Sequence, residues 1–414
     1  MTQHVAEICI VGAGAAGLWA AGVCARRGAR VILLEKMGKT GTKVLASGGS
    51  RCNLTTSLDP RAAAQCFRHE GAKFLGPAVK ALSPRHIRER FHGLGVPTKV
   101  ETEFAKVFPA SDSARDVRDA LEQEARRHGA TILLNSRVDA IEPVTDGWIV
   151  HSPYQRVRCH RLLLCPGGGS YPQTGTTGDG YGWLRALDLE VVDPVPALVP
   201  LQSPASWVQA LSGIAVDGEA RIGKFRRRRP VLFTHRGLSG PGAMDLSVHV
   251  ARASGPVELR LDLVPDQGWE ELRALLIQAA GRRGAPRLAS LVRLPRRLIE
   301  TVAKQAGLPD ANPSANALSA AARHQLIDEL KGLRIPISGT LGFDKAEVTA
   351  GGLALHEVDP RSMAVRRCPG LYAFGEILDL DGPIGGLNFT AAFATAEVAA
   401  RSACSAETIR RETA

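Results

Sequence analysis

Gly12, Gly14 and Gly17 form a Gly-x-Gly-x-x-Gly string, and Glu35 follows about eighteen residues beyond its last member. That spacing suits a nucleotide diphosphate. Gly12 permits a tight turn, Gly14 lets backbone approach the phosphates, and Gly17 lets a helix pack on its strand. The amides opening that helix, at Ala15 and Ala16, present its positive end to the anion. Glu35 stands where an acid accepts hydrogen bonds from an adenosine ribose. A glycine-rich helix start that binds nothing has the same glycines, so the flanks decide. An apolar run, Ile8 to Val11, leads into the turn, and a second, Val31 to Leu34, ends at the acid.

A long loop follows, from Lys36 to Asn53, rich in small and basic residues. Ser47, Gly48 and Gly49 offer backbone N–H groups and positive φ, while Lys36, Lys43 and Arg51 bring positive charge, which suits a large dinucleotide lying along the loop. FAD fits this better than NAD. Cys52 and Asn53 close the loop. The thiol offers a proton and the amide a grip on a carbonyl or the flavin; a buried small residue and a loop-closing amide are the plainer readings of the same pair. Arg51 balances diphosphate charge or polarises a carbonyl. His235, beside Gly237 and Gly240, either faces the flavin from a second domain or is structural.

These residues need an α/β frame. The uncharged stretch from Ile8 to Ala25 reads as parallel strand and buried helix rather than a membrane span, since its glycines weaken a spanning helix and no Lys/Arg cluster precedes it. Ser83-Pro84 reads as an N-cap and first helical residue, and Ser113 to His128 as an amphipathic helix stopped by Gly129. Strand material resumes at Thr131, and Arg161 to Cys165 is another buried strand. Extended, proline-rich sequence from Asp193 to Pro200 marks a change of domain. The expected division is a discontinuous first domain, 1–190 and 345–414, interrupted by an insert, 191–344. The insert is β-rich over 191–265 and 333–344 and helical over 266–332.

The eight cysteines contain no Cys-x-x-Cys, which speaks against a zinc site or disulfide-exchange chemistry, and no metal site is expected. Without a signal-peptide pattern, reduced thiols in the cytoplasm are the simplest expectation. A net charge of +11 favours an anionic partner or a solvated basic surface. Positive charge concentrates in the insert, at Arg226, Arg227, Arg228 and Arg229 and at Arg273, Arg282, Arg283, Arg287, Arg293, Arg296 and Arg297, a distribution suited to RNA phosphates.

The glycine turn, its acid and the string Ser47-Gly-Gly-Ser-Arg-Cys-Asn53 together resemble the YhiN-like flavoproteins, the BaiN/RdsA group. Val107–Asp112, Gly168–Gly175, Phe233–Pro241 and Gly375–Asp379 extend the resemblance over nearly the full chain. It implies a Rossmann-like FAD-binding domain of the two-dinucleotide-binding type carrying the inserted β-rich and helical domain. It further implies that Gly167 and Gly168 form a second cofactor-contact turn, that the Val138 amide meets adenine, and that Glu376 or Asp379, after Gly375, holds a ribityl or ribose hydroxyl. Gly386, Asn388 and Phe389 open a terminal helix whose amides are aimed at the flavin's pyrimidine edge. The chain departs from that family's pattern at Ile384 and at Phe389-Thr390.

Reported activities of such proteins include reduction of activated C=C bonds in steroid-like acids or in RNA uridine. The basic insert makes RNA uridine the preferred expectation. A small-molecule ene-reductase and a non-catalytic redox-sensing flavoprotein are the alternatives. No second Gly-x-Gly-x-x-Gly unit is present, so NAD(P)H is expected only as a transient electron donor.

Overall fold

A computed structural model describes residues 2–405; Met1 and residues 406–414, which belong to the span assigned above to the first domain, lie outside the described residues. The chain divides into two compact units, Met1–Val195 with Glu347–Ala414, and Pro196–Ala346.

The first unit is organised around five parallel strands in the order Thr131–Leu133, Val31–Leu34, Thr2–Val11, Gln155–Leu164, Leu371–Ala373. Their apolar runs are continuous because both faces are covered: Val31 to Leu34 are all buried, as are Leu162, Leu163 and Leu164. A hairpin, Ala140–Val144 and Gly147–His151, pairs antiparallel with the first half of the Gln155–Leu164 strand. All five parallel strands point their carboxyl ends the same way, the end at which open α/β sheets take ligands.

The Ala15–Arg26 helix returns from the first strand and is buried almost throughout. It packs between Ala114–Arg127 and Leu387–Ala403. Trp19 fixes the second contact, with its ring 4.9 Å from that of Phe393 and its Nε1 donating to Glu397 Oε2 at 2.7 Å. The Ala114–Arg127 helix buries Val117, Ala120, Leu121 and Ala125 along one side and ends before Gly129, whose φ is +93°. Ser83 caps the Pro84–Gly93 helix by accepting from the His86 N–H at 3.2 Å.

The second unit is a seven-stranded sheet in the order Leu333–Ile337, Val257–Asp262, Ala215–Ile222, Phe225–Thr234, Gly237–Ser239, Leu201–Gln202, Gly339–Thr340, with antiparallel pairing throughout. Alternation decides its faces. Leu259, Leu261, Ile335 and Ala220 point to a core shared with helices Trp269–Ala280, Arg296–Gln305 and Ala320–Gly332. The residues between them point outward.

Candidate functional site

The glycine turn sits at the carboxyl end of the first strand, and its three glycines have different neighbours. Gly12 has φ +102°, and a Cβ there would lie 2.5 Å from the Cys165 carbonyl oxygen. At Gly17 a Cβ would lie 1.8 Å from the Gly12 oxygen, so helix and strand meet only through glycine. Around Gly14 nothing comes within 4 Å of that position. Two glycines are therefore demanded by protein packing, and the middle one opens onto space. Gly14 is also the helix N-cap, with no side-chain cap, which leaves the first-turn amides at Ala15 and Ala16 for an anion.

Glu35 ends the second strand. Its Oε2 accepts from the Ala13 N–H at 2.8 Å and its Oε1 from the Met37 N–H at 2.9 Å, leaving each oxygen further acceptor capacity. Burial pushes this carboxyl above its ordinary range, and the Met37 and Ala13 amides pull against that shift. Val138 is buried just beyond the neighbouring strand, where Ser136 N–H donates to the Glu35 carbonyl at 2.8 Å.

The three glycine-bearing segments meet at Lys43. Its ammonium donates to Ser170 Oγ at 2.6 Å and to Glu376 Oε1 and Oε2 at 2.8 and 2.6 Å. Glu376 Oε1 also accepts from Ser170 Oγ at 2.7 Å and from the Thr349 N–H at 3.0 Å. Thr349 Oγ1 in turn takes the Gly169 and Ser170 N–H groups at 2.9 and 3.0 Å. Lys43 is thus committed to protein oxygens, while Glu376 Oε2 carries a single protein contact and keeps acceptor capacity. Tyr181 has a buried hydroxyl that makes no hydrogen bond among the described residues. Burial, then Glu376 and Asp379, push that phenol's pKa up.

Ser170, Thr349 and Tyr181 were not singled out above. A Thr ahead of Gly351-Gly352 and a Ser directly after three glycines were the available signals, but neither carries a spacing rule. The chain's last segment joins the same place. A Cβ on Gly375 would be 3.2 Å from the Ala16 side chain, and one on Gly386 would lie 2.1 Å from the Thr55 carbonyl and 2.8 Å from Asn53 Oδ1.

Other expected residues sit differently. Gly167 and Gly168 are required by protein neighbours, since added Cβ atoms would lie 2.3 Å from Thr176 Cγ2 and 2.3 Å from Thr349 Oγ1. Lys36 donates to Thr177 Oγ1 at 2.5 Å and pairs with Asp179 at 2.7 Å. Arg51 is held by Asp112 at 2.6 Å and Glu101 at 2.5 Å and lies over the Phe108 ring, so its charge is already balanced by carboxylates. Lys99 shares Asp112 with it.

Ser47 Oγ returns to the Val44 carbonyl at 2.7 Å, and Gly48, Gly49, Ser50 and Cys52 all have positive φ, which folds the loop tightly. Cys52 is wholly buried, and burial pushes its thiol up to about 12. It packs beneath the loop rather than lining it. Asn53 Oδ1 accepts from Val107 N–H at 3.2 Å; its amide N–H groups make no hydrogen bond among the described residues. Asn388 closes its own loop on Gly382, accepting at 2.8 Å and donating at 2.9 Å, and the half-buried Phe389 stacks on Phe393 at the edge of the core. Asp379 accepts from Gly351 N–H at 3.0 Å and pairs with Arg68 at 3.1 Å, beside a cavity of about 320 Å³. His235, in the second unit, is exposed in the turn between the strands Phe225–Thr234 and Gly237–Ser239.

The fit to a dinucleotide rests on the open position at Gly14 and the uncapped helix start, and the described residues accommodate such a group. Among the described residues no helix is long and apolar enough to cross a membrane.

The sequence profile of the HI0933-like protein Rossmann domain matches residues 6–402. A ribosomal RNA dihydrouridine synthase of Escherichia coli is 31% identical over 405 residues, covering 96% of this chain and 98% of that protein. A 3-dehydro-bile acid delta(4,6)-reductase of Clostridium scindens is 30% identical over 412 residues, covering 96% and 98%. Among solved structures, a 3-ketosteroid-delta4-(5alpha)-dehydrogenase from Rhodococcus jostii is similar in fold, with a TM-score of 0.54, 15% identity and 98% of both chains covered.

Proposed function

The chain belongs to the HI0933-like family and is an FAD-dependent oxidoreductase, and we propose that it reduces an activated C=C bond, with uridine in RNA as the substrate. Bound FAD supplies the two-electron chemistry. The observation that carries the reading is the junction of Lys43, Ser170 and Glu376 beside a glycine turn with open space at Gly14.

In this reading the amides at Ala15 and Ala16 hold the diphosphate, Glu35 accepts from the adenosine ribose and the Val138 main chain borders adenine. Glu376, its charge compensated by Lys43, accepts through Oε2 from a ribityl hydroxyl. Lys43 is a positioning residue, since its own donors are used. Asn53 offers its amide N–H groups to the substrate carbonyl, with Oδ1 anchored on Val107. Cys52 keeps its proton and supports the loop. NAD(P)H visits as electron donor.

RNA is favoured as substrate by the cationic surface of the second unit and by the name of the E. coli relative. A small-molecule substrate is favoured by the name of the C. scindens relative, which is as similar over as much of the chain. Mapping dihydrouridine in ribosomal RNA from a strain lacking this protein separates them. Loss of a dihydrouridine that returns with the gene is expected; an unchanged profile overturns RNA as the substrate.

A further inference from the structure

The four-arginine tract of the second unit is not a uniform basic patch, because strand alternation sends its members to both faces of the sheet. Arg229 turns to the buried Asp245 at 3.2 Å, with Arg227 4.0 Å from the same carboxylate. Arg228 pairs with Asp266 at 2.5 Å. Arg226 alone has no carboxylate in ion-pairing distance among the described residues. Register supplies it with company. Arg226 lies directly opposite Arg221, Arg221 opposite Arg260, and Arg260 opposite Arg334, across four neighbouring strands. Directly opposed residues share a face, and all four are exposed. With strands about 4.8 Å apart, the row is about 14 Å long.

Such a row works against the sheet, since like charges directly opposite destabilise it. Arg260 is relieved by Glu258 at 2.8 Å, and Glu329 lies within electrostatic reach of Arg334. Arg221 donates to the Gly223 carbonyl at 2.7 Å and has no carboxylate in ion-pairing distance among the described residues, with Glu219 one step along the same face. The nearby Asp262 is taken by Lys331 at 2.6 Å. A line of guanidinium groups matches a line of phosphates, each fork able to take two oxygens of one anion.

We propose that the row Arg226–Arg221–Arg260–Arg334 is a track for the phosphate backbone of RNA. The inference rests on the reading of RNA as substrate and names the surface that holds it. The row positions RNA without reading sequence, which is what phosphate contacts do.

The test replaces all four with glutamine in the full-length, flavin-loaded protein and compares binding to protein-free ribosomal RNA over a range of salt. A second variant, with Arg273, Arg282, Arg283 and Arg293 changed to glutamine, removes equal charge from the helical part. Four contacts to single-stranded phosphates give wild type roughly a fifty-fold loss of affinity between 50 and 200 mM salt. The row variant is expected to lose at least about ten-fold in affinity at low salt and to show a log–log salt slope shallower by about three. It should melt no lower than wild type, because like-charge opposition is relieved. The helical variant should keep the steep slope.

Equal loss in both variants overturns the row as the determinant. Wild-type binding to RNA with an unaffected row variant overturns the track and leaves RNA as substrate standing. Wild type that ignores RNA, or that uses the row only on phosphatidylserine vesicles, overturns both.

Discussion

In the first unit the ammonium of Lys43 ends among oxygens of Ser170 and Glu376, whereas in the second the guanidinium group of the exposed Arg226 meets no carboxylate among the described residues. Both are dense cationic stretches in the sequence. The difference lies in what the fold brings opposite them. A carboxylate from a segment more than three hundred residues away meets Lys43 and makes it a positioning group. Antiparallel register brings three further arginines to Arg226 and makes the row an anion acceptor. Cationic composition marks neither role; the partner does.

The contrast breaks most severely at Gly17. A Cβ placed 1.8 Å from the Gly12 carbonyl has nowhere to move, since both sides are backbone, and overpacking of this kind costs about 1–3 kcal/mol or more. Gly17→Ala is therefore expected to lower the melting temperature and release flavin together; a variant that melts like wild type would show that the helix shifts freely. Next in size is Lys43→Ala. It leaves the Glu376 carboxylate without its compensating cation and removes one donor to Ser170 Oγ, a loss of about 1–3 kcal/mol, so flavin affinity should fall roughly ten-fold or more by equilibrium titration. Combining it with Glu376→Gln should cost less than the sum of the two single changes, whereas strict additivity would deny that the two act together.

Cys52→Ser sharpens the site from the other side. A side chain with no exposure reaches no substrate, so turnover should stay within about two-fold of wild type. A large loss in kcat with flavin still bound would return the thiol to the reaction.

The smallest effect is one of pH. A carboxyl raised in the fold favours the folded state while protonated, so the Glu35 contribution grows as pH falls through its raised value and is lost as pH rises through it. The stability difference between wild type and Glu35→Gln should move toward wild type on going from neutral pH to the ordinary carboxylate range. Movement the other way would contradict burial as the dominant cause.

Much of the frame was legible because it is local. The glycine turn, the apolar parallel strands and the Ser83-Pro84 cap each follow from neighbours within a few residues. The site was legible only in part. Lys43 and Glu376 were singled out, but not as partners, because nothing in sequence distance joins them. Gly167 and Gly168 were read as facing a cofactor, yet Thr176 and Thr349 claim their space. Thr349 escaped notice because a threonine ahead of two glycines is common. The arginine row was invisible: Arg221, Arg260 and Arg334 lie apart along the chain, and only strand register aligns them.

The central claim, that a dinucleotide lies against the turn at Gly14, is tested most directly by the flavin content of purified Gly14→Leu protein beside wild type. The open surroundings of Gly14 mean the substitution leaves packing intact, so the expected result is a folded protein of near-normal circular dichroism that carries no bound flavin. A folded Gly14→Leu variant that retains a full complement of FAD would contradict it.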